Sequence, residues 1–341
     1  MKGRQIVLDH INGFEAAALL VDGRLEDLLI DSDAPRVGAI YRAVADRPVK
    51  GQGGMFLSTP DGQVFLRQVR GISPGQSMLV QVSGHAEPGK AMPVTQKLLF
   101  KSRFAIVTPD APGLNISRSI RDDDLRDRLL EIAHDTMDGD GDMGLILRSS
   151  CADADADEIA ADIAEMVQLA QAVLADSTGP AEKLTDGDGP HVMAWREWVE
   201  PAEVVTDAGG FAQLGVLDMI AALAQPKVAL PGGGSMFVEP TRALVAVDVN
   251  TGTDTSPAAA LKANIAAARD LPRQLRLRGL AGQITLDAAP MPKKDRRSFE
   301  MALRAAFRAD PVETVLAGWT PLGHYELQRK RERRPLAELI K

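Results

Sequence analysis

Cysteine is almost missing from this chain. One residue, Cys151, in 341 excludes an intramolecular disulfide and any cysteine-rich zinc site, and leaves a small buried or incidental thiol. Long apolar runs are missing too. No stretch of eighteen apolar residues occurs, and Met1-Lys-Gly-Arg4 leads into mixed polar sequence rather than a signal-peptide core. These gaps predict a soluble, cytoplasmic protein without a membrane segment. Histidines number five, and neither His191 nor His324, the two nearest informative sequence, has a partner at ligand spacing; no role falls to them. What is present, 45% hydrophobic residues, can bury substantial cores in two or three domains.

A net charge of −8 argues against a polyanion partner until its distribution is read. Residues 120–190 hold 5 Lys and Arg against 19 Asp and Glu, whereas residues 231–341 hold 18 against 12. The C-terminal third is therefore the basic part, as a phosphate-binding surface requires. The acidic middle is expected to face away from it.

That basic third opens on the stretch around which the chain is organised. Ala243 to Val249 is an apolar, β-branched run closed by a polar turn, the pattern of a strand buried on both faces. Asp248 and Asn250 then share one side at its C-terminal end. Ser256-Pro257 reads as an N-cap followed by proline at the first helical position, with Pro272 expected to kink or divide the helix. A second short strand ends in Asp287. Strand, crossover helix and strand imply parallel strands, so Asp248 and Asp287 fall at the edge where open α/β sheets bind ligands. Two carboxylates and a carboxamide there suit one hard cation, Mg²⁺. An Asp closing a buried strand is also the ordinary first residue of a solvated turn, and spacing leaves both readings open.

Leu230-Pro-Gly-Gly-Gly-Ser235, followed by Thr241-Arg-Ala-Leu-Val-Ala-Val-Asp-Val-Asn-Thr-Gly252, resembles the glycine turn and metal-binding segment of the bacterial RNase E/G endoribonucleases. Arg273-Gln-Leu-Arg-Leu-Arg278 and Gly279-Leu-Ala-Gly-Gln-Ile-Thr-Leu-Asp287 resemble that family's helix end and second metal aspartate. The resemblance implies that Asp248 and Asp287 bind Mg²⁺, with Mn²⁺ as an alternative, and that Asn250 orients the site. It also implies that water rather than a ribose 2′-hydroxyl cleaves single-stranded RNA, leaving 5′-phosphate and 3′-hydroxyl ends. Leu327-Gln-Arg-Lys-Arg331 matches a basic terminal segment, taken as helix, from which Arg329 would approach the scissile phosphate. Two departures stand out. The family's Asp-Phe-Ile-Asp-Met is here Asp287-Ala-Ala-Pro290-Met291, and the chain stops where a zinc link would begin. No zinc-linked tetramer is therefore expected, while a homodimer through the catalytic domain stays open.

The remaining segments place the other candidates. Gln5–Leu8, Phe14–Val21 and Leu25–Leu29 read as strands around the Asp22-Gly23 turn. Val37 to Lys97 carries short strand-like runs that suggest an OB-fold barrel. Phe56 and Phe65 are either barrel core or, with Lys90, the residues with which the family stacks and clamps RNA. Lys101 to Asp176 forms a separate unit in which Met143-Gly-Leu-Ile-Leu-Arg148-Ser149 resembles the family's 5′-monophosphate pocket. Arg148 and Ser149 would hold the phosphate, with Ile106 in the wall; a structural arginine is the alternative. Asp138-Gly-Asp-Gly-Asp142 lacks the closing Glu of an EF-hand and reads as a solvated loop. Residues 177–190 have linker composition. Val192–Val199 and Ala202–Thr206 are expected to return to the first sheet, and Val312–Trp319 to be the last strand.

The architecture expected is α+β and multidomain. An RNase H-like sheet (residues 1–35 and 185–230) carries an inserted OB-fold (36–98) and a 5′-sensor unit (99–178). A DNase I-like α/β catalytic domain (231–341) follows.

Overall fold

In a computed structural model describing residues 3–49, 53–68, 71–87, 89–137 and 143–340, the chain begins with an antiparallel meander. Its strands are β1 (Arg4–Ile11), β2 (Phe14–Val21) and β3 (Arg24–Ile30). Asp22 and Gly23 both take positive φ, 50° and 75°, as a two-residue hairpin turn of this twist demands. Residues 1–31 belong with 202–341 in one compact unit, and residues 32–201 form a second.

In the second unit, β4 (Ile40–Val49), β5 (Gly54–Thr59), β6 (Gly62–Leu66), β7 (Ser77–Val82) and β8 (Met92–Thr95) run in ring order β4-β5-β6-β8-β7, and β7 pairs back onto β4. This closed five-strand barrel is OB-like. Period-two alternation fills it with Met55, Leu57, Val64 and Leu66, leaving the intervening residues outside. Beside it, β9 (Phe100–Lys101), β10 (Ala105–Thr108), β11 (Gly113–Ile116) and β12 (Gly144–Leu147) form a sheet against α1 (Asp123–Met137) and α2 (Ala156–Ala175). Cys151 is buried in this core, and burial pushes its thiol up to about 11, so it is neutral packing. The acidic loop at 138–142 lies outside the described residues.

Two connecting segments differ from expectation. Within the linker-like stretch, β13 (Glu182–Thr185) pairs antiparallel with β4. The buried Arg42 fixes it, donating to Pro180 O at 2.7 Å and pairing with Asp176 and Glu182. Val192–Val199 does not return to the first sheet. Pro190 at a helix N-terminus and the four-residue spacing of buried Ala194 and Trp198 make α3 (Pro190–Glu197) instead. Only β14 (Glu203–Val205) joins the meander, parallel to β1.

After α4 (Gly210–Gln213) and α5 (Val216–Ala222), a six-strand sheet forms from β15 (Lys227–Ala229), β16 (Ser235–Pro240), β17 (Val245–Asn250), β18 (Gly282–Asp287), β19 (Thr314–Trp319) and β20 (Tyr325–Arg329). Its order is β15-β16-β17-β18-β20-β19. β17 and β18 are parallel, joined by α6 (Pro257–Leu277), and α7 (Arg296–Ala309) packs Phe299, Leu303 and Phe307 into the same core. Ser256 caps α6, its hydroxyl accepting from Ala259 N at 3.2 Å. Pro272 neither ends nor divides α6. Ala267, Leu271 and Leu275 stay fully buried across it, and that packing outweighs the roughly 3 kcal/mol that an internal proline costs. Residues 325–329 form a strand, not a helix, because Tyr325, Leu327 and Arg329 alternate inward with period two.

Candidate active site

The end of β17 is shaped by backbone meeting backbone. Gly232 and Gly233 turn the chain with positive φ (86° and 85°), and Leu230 N donates to Gly234 O at 2.8 Å. A Cβ at Gly234 would lie 2.8 Å from Asn250 O, and one at Gly252 would lie 2.5 Å from Gly233 O. Only glycine permits this approach, which pins the strand end that carries Asp248 and Asn250.

The parallel register then brings the acids together. Val247 pairs with Leu286 and Asp248 with Asp287, on strands about 4.8 Å apart. Val247, Val249, Ile284 and Leu286 are buried, so the intervening Asp248, Asn250 and Asp287 all face out on the same side. Asn250 Nδ2 donates to Asp248 Oδ2 at 2.7 Å and fixes that carboxylate. Among the described residues neither carboxylate pairs with Lys or Arg; the basic group beside Asp287 is His324, its Nε2 3.9 Å from Oδ1. Two adjacent exposed carboxylates repel, and a divalent cation between them would offset that repulsion. The all-oxygen donor set fits Mg²⁺. Among the described residues no group of three or more His, Cys, Asp or Glu is already gathered around a metal position. Mg²⁺ tolerates this, since it commonly takes one or two carboxylates and completes its shell with water and phosphate.

Asn264 escaped the sequence reading, and His324 was given no role by it. Asn264, 0% exposed on α6, donates to Ala289 O and accepts from Ala289 N, both at 2.9 Å, so one amide clamps the loop two residues beyond Asp287. Its signal was a lone amide within the apolar stripe of Ala260, Ala263 and Ala267. His324 comes to Asp287 because Tyr325 is paired with Leu286, a register invisible in sequence.

Arg329 is a correction. It pairs with Gly282 at the opposite end of β18, roughly 17 Å of strand away from Asp287. Only 2% exposed, it binds Asp310 Oδ2 at 2.7 Å and Thr314 Oγ1 at 2.9 Å. A buried arginine spent on a buried carboxylate is a structural residue, and Arg329 does not reach the acidic pair.

In the other unit, Phe56 and Phe65 pair directly across β5 and β6, with ring centroids 5.4 Å apart. Their neighbours Met55, Leu57, Val64 and Leu66 fill the barrel, so both rings lie on its outer face and not in its core. Arg47 sits over Phe56 at 5.4 Å, and the Phe65 ring covers Gly54, where a Cβ would lie 2.3 Å from it. Lys90 is exposed and pairs with Glu87 at 2.5 Å. In the neighbouring sheet Ile106, half-buried, lies opposite Ile146. Arg148 Nη1 donates to Ser102 O at 2.7 Å and Arg196 O at 3.3 Å, and Nη2 meets Glu197 at 2.5 Å, while Ser149 is exposed. Arg103 stacks on Trp195 at 3.8 Å; its pKa is lowered first by burial and then by the Arg148 charge.

Comparison with known proteins bears on the same elements. The model of the Ribonuclease E/G family matches residues 100–200 and 196–332. Ribonuclease E of Synechocystis sp. is 27% identical over 396 residues, covering 99% of this chain and 58% of its own length; that of Nostoc sp. is 27% identical, covering 96% and 56%. Ribonuclease G of Escherichia coli (strain K12) is 26% identical, covering 98% of this chain and 81% of its own. The chain thus spans little more than half the length of these ribonucleases E. With one family model matched on both sides of residue 200, through the sheet that sets Asp248 beside Asp287, the chain belongs to the Ribonuclease E/G family.

Proposed function

We propose that this protein is an endoribonuclease that hydrolyses single-stranded RNA in RNA processing or decay, with Mg²⁺ held by Asp248 and Asp287. One observation carries the reading: the parallel register of β17 and β18 sets the two carboxylates side by side with no lysine or arginine among the described residues to neutralise them. When bound, Mg²⁺ would supply Lewis-acid stabilisation of phosphate charge and a lowered pKa for water. Asn250 holds Asp248 in one orientation through its 2.7 Å bond, and Asn264 holds the loop beyond Asp287. Phe56 and Phe65 offer adjacent flat faces on which bases stack with little sequence preference, and the exposed Lys90 can contact backbone phosphate. A 5′-phosphate would compete with Glu197 for Arg148 and find the Ser149 hydroxyl beside it. Attack by water leaves 5′-phosphate and 3′-hydroxyl ends.

A 5′-monophosphorylated single-stranded RNA, incubated with Mg²⁺ and the intact protein or its Asp248→Asn and Asp287→Asn variants, tests this. Equal turnover by all three would remove the site, and faster turnover of DNA or a phosphomonoester would change the substrate class. One feature favours a second reading, an RNA-binding protein with weak or lost cleavage. Pro290 stands exposed three residues past Asp287, where the resembling motif has a second acid. Tight RNA binding without Mg²⁺-dependent products would select it.

A further inference from the structure

We propose that Trp195 and Arg103 form a stacking site for the first nucleobase of a 5′-monophosphorylated RNA, and that the site favours a purine there. The inference rests on the reading of Arg148 as the 5′-phosphate contact, and all three residues lie in the compact unit of residues 32–201. α3 ends at Glu197, and the last turn of a helix leaves carbonyls without a helical partner. Two arginines from the neighbouring sheet meet consecutive carbonyls of that turn. Arg103 Nη1 donates to Trp195 O, and Arg148 Nη1 donates to Arg196 O at 3.3 Å. The Cα atoms of the two accepting residues stand about 3.8 Å apart, so a phosphate on Arg148 has the Trp195 end of the helix beside it.

The indole is both held and open. Arg103 lies over it at 3.8 Å while donating to the carbonyl of the same residue, so one guanidinium fixes ring and backbone together. One face is thus covered, yet Trp195 is 63% exposed, which leaves the other face to solvent. Val192, one turn earlier on α3 and 52% exposed, extends the apolar surface. A ring already fixed in this way loses little freedom when a ligand lands on it. The surroundings are cationic: Arg103 has no carboxylate at ion-pair distance among the described residues, and the Arg148 charge acts on it. A flat ring joined to an anion satisfies both features, with the phosphate on arginine and the base on the indole. Purines present the larger face and stack more strongly.

The test uses the full chain without divalent ions, so that nothing is cut, and a single-stranded RNA carrying the fluorescent purine analogue 2-aminopurine at its first position or at an internal one. With a 5′-monophosphate, the first-position probe should be quenched on binding. Trp195→Ala should remove that quenching and weaken binding about tenfold, whereas Trp195→Phe should keep most of both. The internal probe should respond alike in all three proteins. RNA beginning with adenine should bind a few-fold tighter than RNA beginning with uracil, and equally tightly in Trp195→Ala. Quenching or affinity that survives Trp195→Ala would overturn the stacking site, and is the result expected if the indole serves a protein partner instead. The 5′ end separates the layers. If a 5′-hydroxyl RNA binds the unaltered protein as tightly as the phosphorylated one, the phosphate reading of Arg148 falls and the stacking site with it. If the phosphate matters while Trp195→Ala binds normally, only the stacking site falls.

Discussion

Two sets of aspartates in the same compact unit have opposite fates. Asp27 and Asp310 are buried and saturated with arginine: Asp310 takes Arg276 and, at 2.7 Å, Arg329, while Asp27 takes Arg333 and, at 3.2 Å, Arg276. Asp248 and Asp287 are exposed and have no such partner among the described residues. The residue type is the same and the surroundings decide its work. A carboxylate closed in by guanidiniums holds elements together, whereas a pair turned outward at strand ends is available for a ligand.

Removing charge from either set sharpens the contrast. Asp248→Asn or Asp287→Asn should lower Mg²⁺-dependent cleavage about a thousandfold, equivalent to several kcal/mol of lost charge stabilisation, with the urea unfolding midpoint unmoved. Asp310→Asn should do the reverse. Leaving the buried Arg329 without its carboxylate costs about 3–5 kcal/mol, seen as an earlier midpoint, and a midpoint like that of the unaltered protein would refute the structural role. Acid should act on the buried set. Burial alone would raise the Asp27 pKa, but the Arg333 and Arg276 charges overcome it and hold the carboxyl below its ordinary 3.8. Its contribution is therefore complete above about pH 4 and is lost as pH falls through the lower folded value. Unfolding free energy measured from pH 5 to pH 2 should drop most steeply below 3.8, and less so in Asp27→Asn.

Smaller effects belong to the barrel, away from both sets. Phe56→Ala or Phe65→Ala should weaken single-stranded RNA binding by about 1–3 kcal/mol per lost stack without changing the fold. Lys90→Ala should only flatten the salt dependence of binding, by about one unit of slope.

Much of the site was legible because it depends on local pattern. The β-branched run ending in Asp248, the Ser256-Pro257 cap and the Asp22-Gly23 turn each carry their geometry in a few adjacent residues. Period two also distinguished two possibilities for Phe56 and Phe65 once the barrel strands were fixed, since the flanking Met55 and Val64 claim its interior. Arg329 was misplaced because an arginine near a basic chain end looks solvated until Asp310, nineteen positions earlier, is found beneath it. His324 needed the β18–β20 register. The strand Glu182–Thr185 hid in linker composition because Arg42, far away in sequence, is what holds it. Such long-range pairings leave no local periodicity to read.

The meander constrains how the molecule can be divided. Arg273 donates to Leu25 O at 2.5 Å, Arg276 to Glu26 O at 2.9 Å and Arg333 to Leu28 O at 3.0 Å, while Arg24 meets Asp270 at 2.5 Å. A recombinant fragment beginning at Ala202 would contain both acids and still lack every one of these meander partners. Whoever seeks a minimal catalytic piece must supply the first thirty residues as well, by co-expression or by grafting them onto the fragment, or expect an insoluble product.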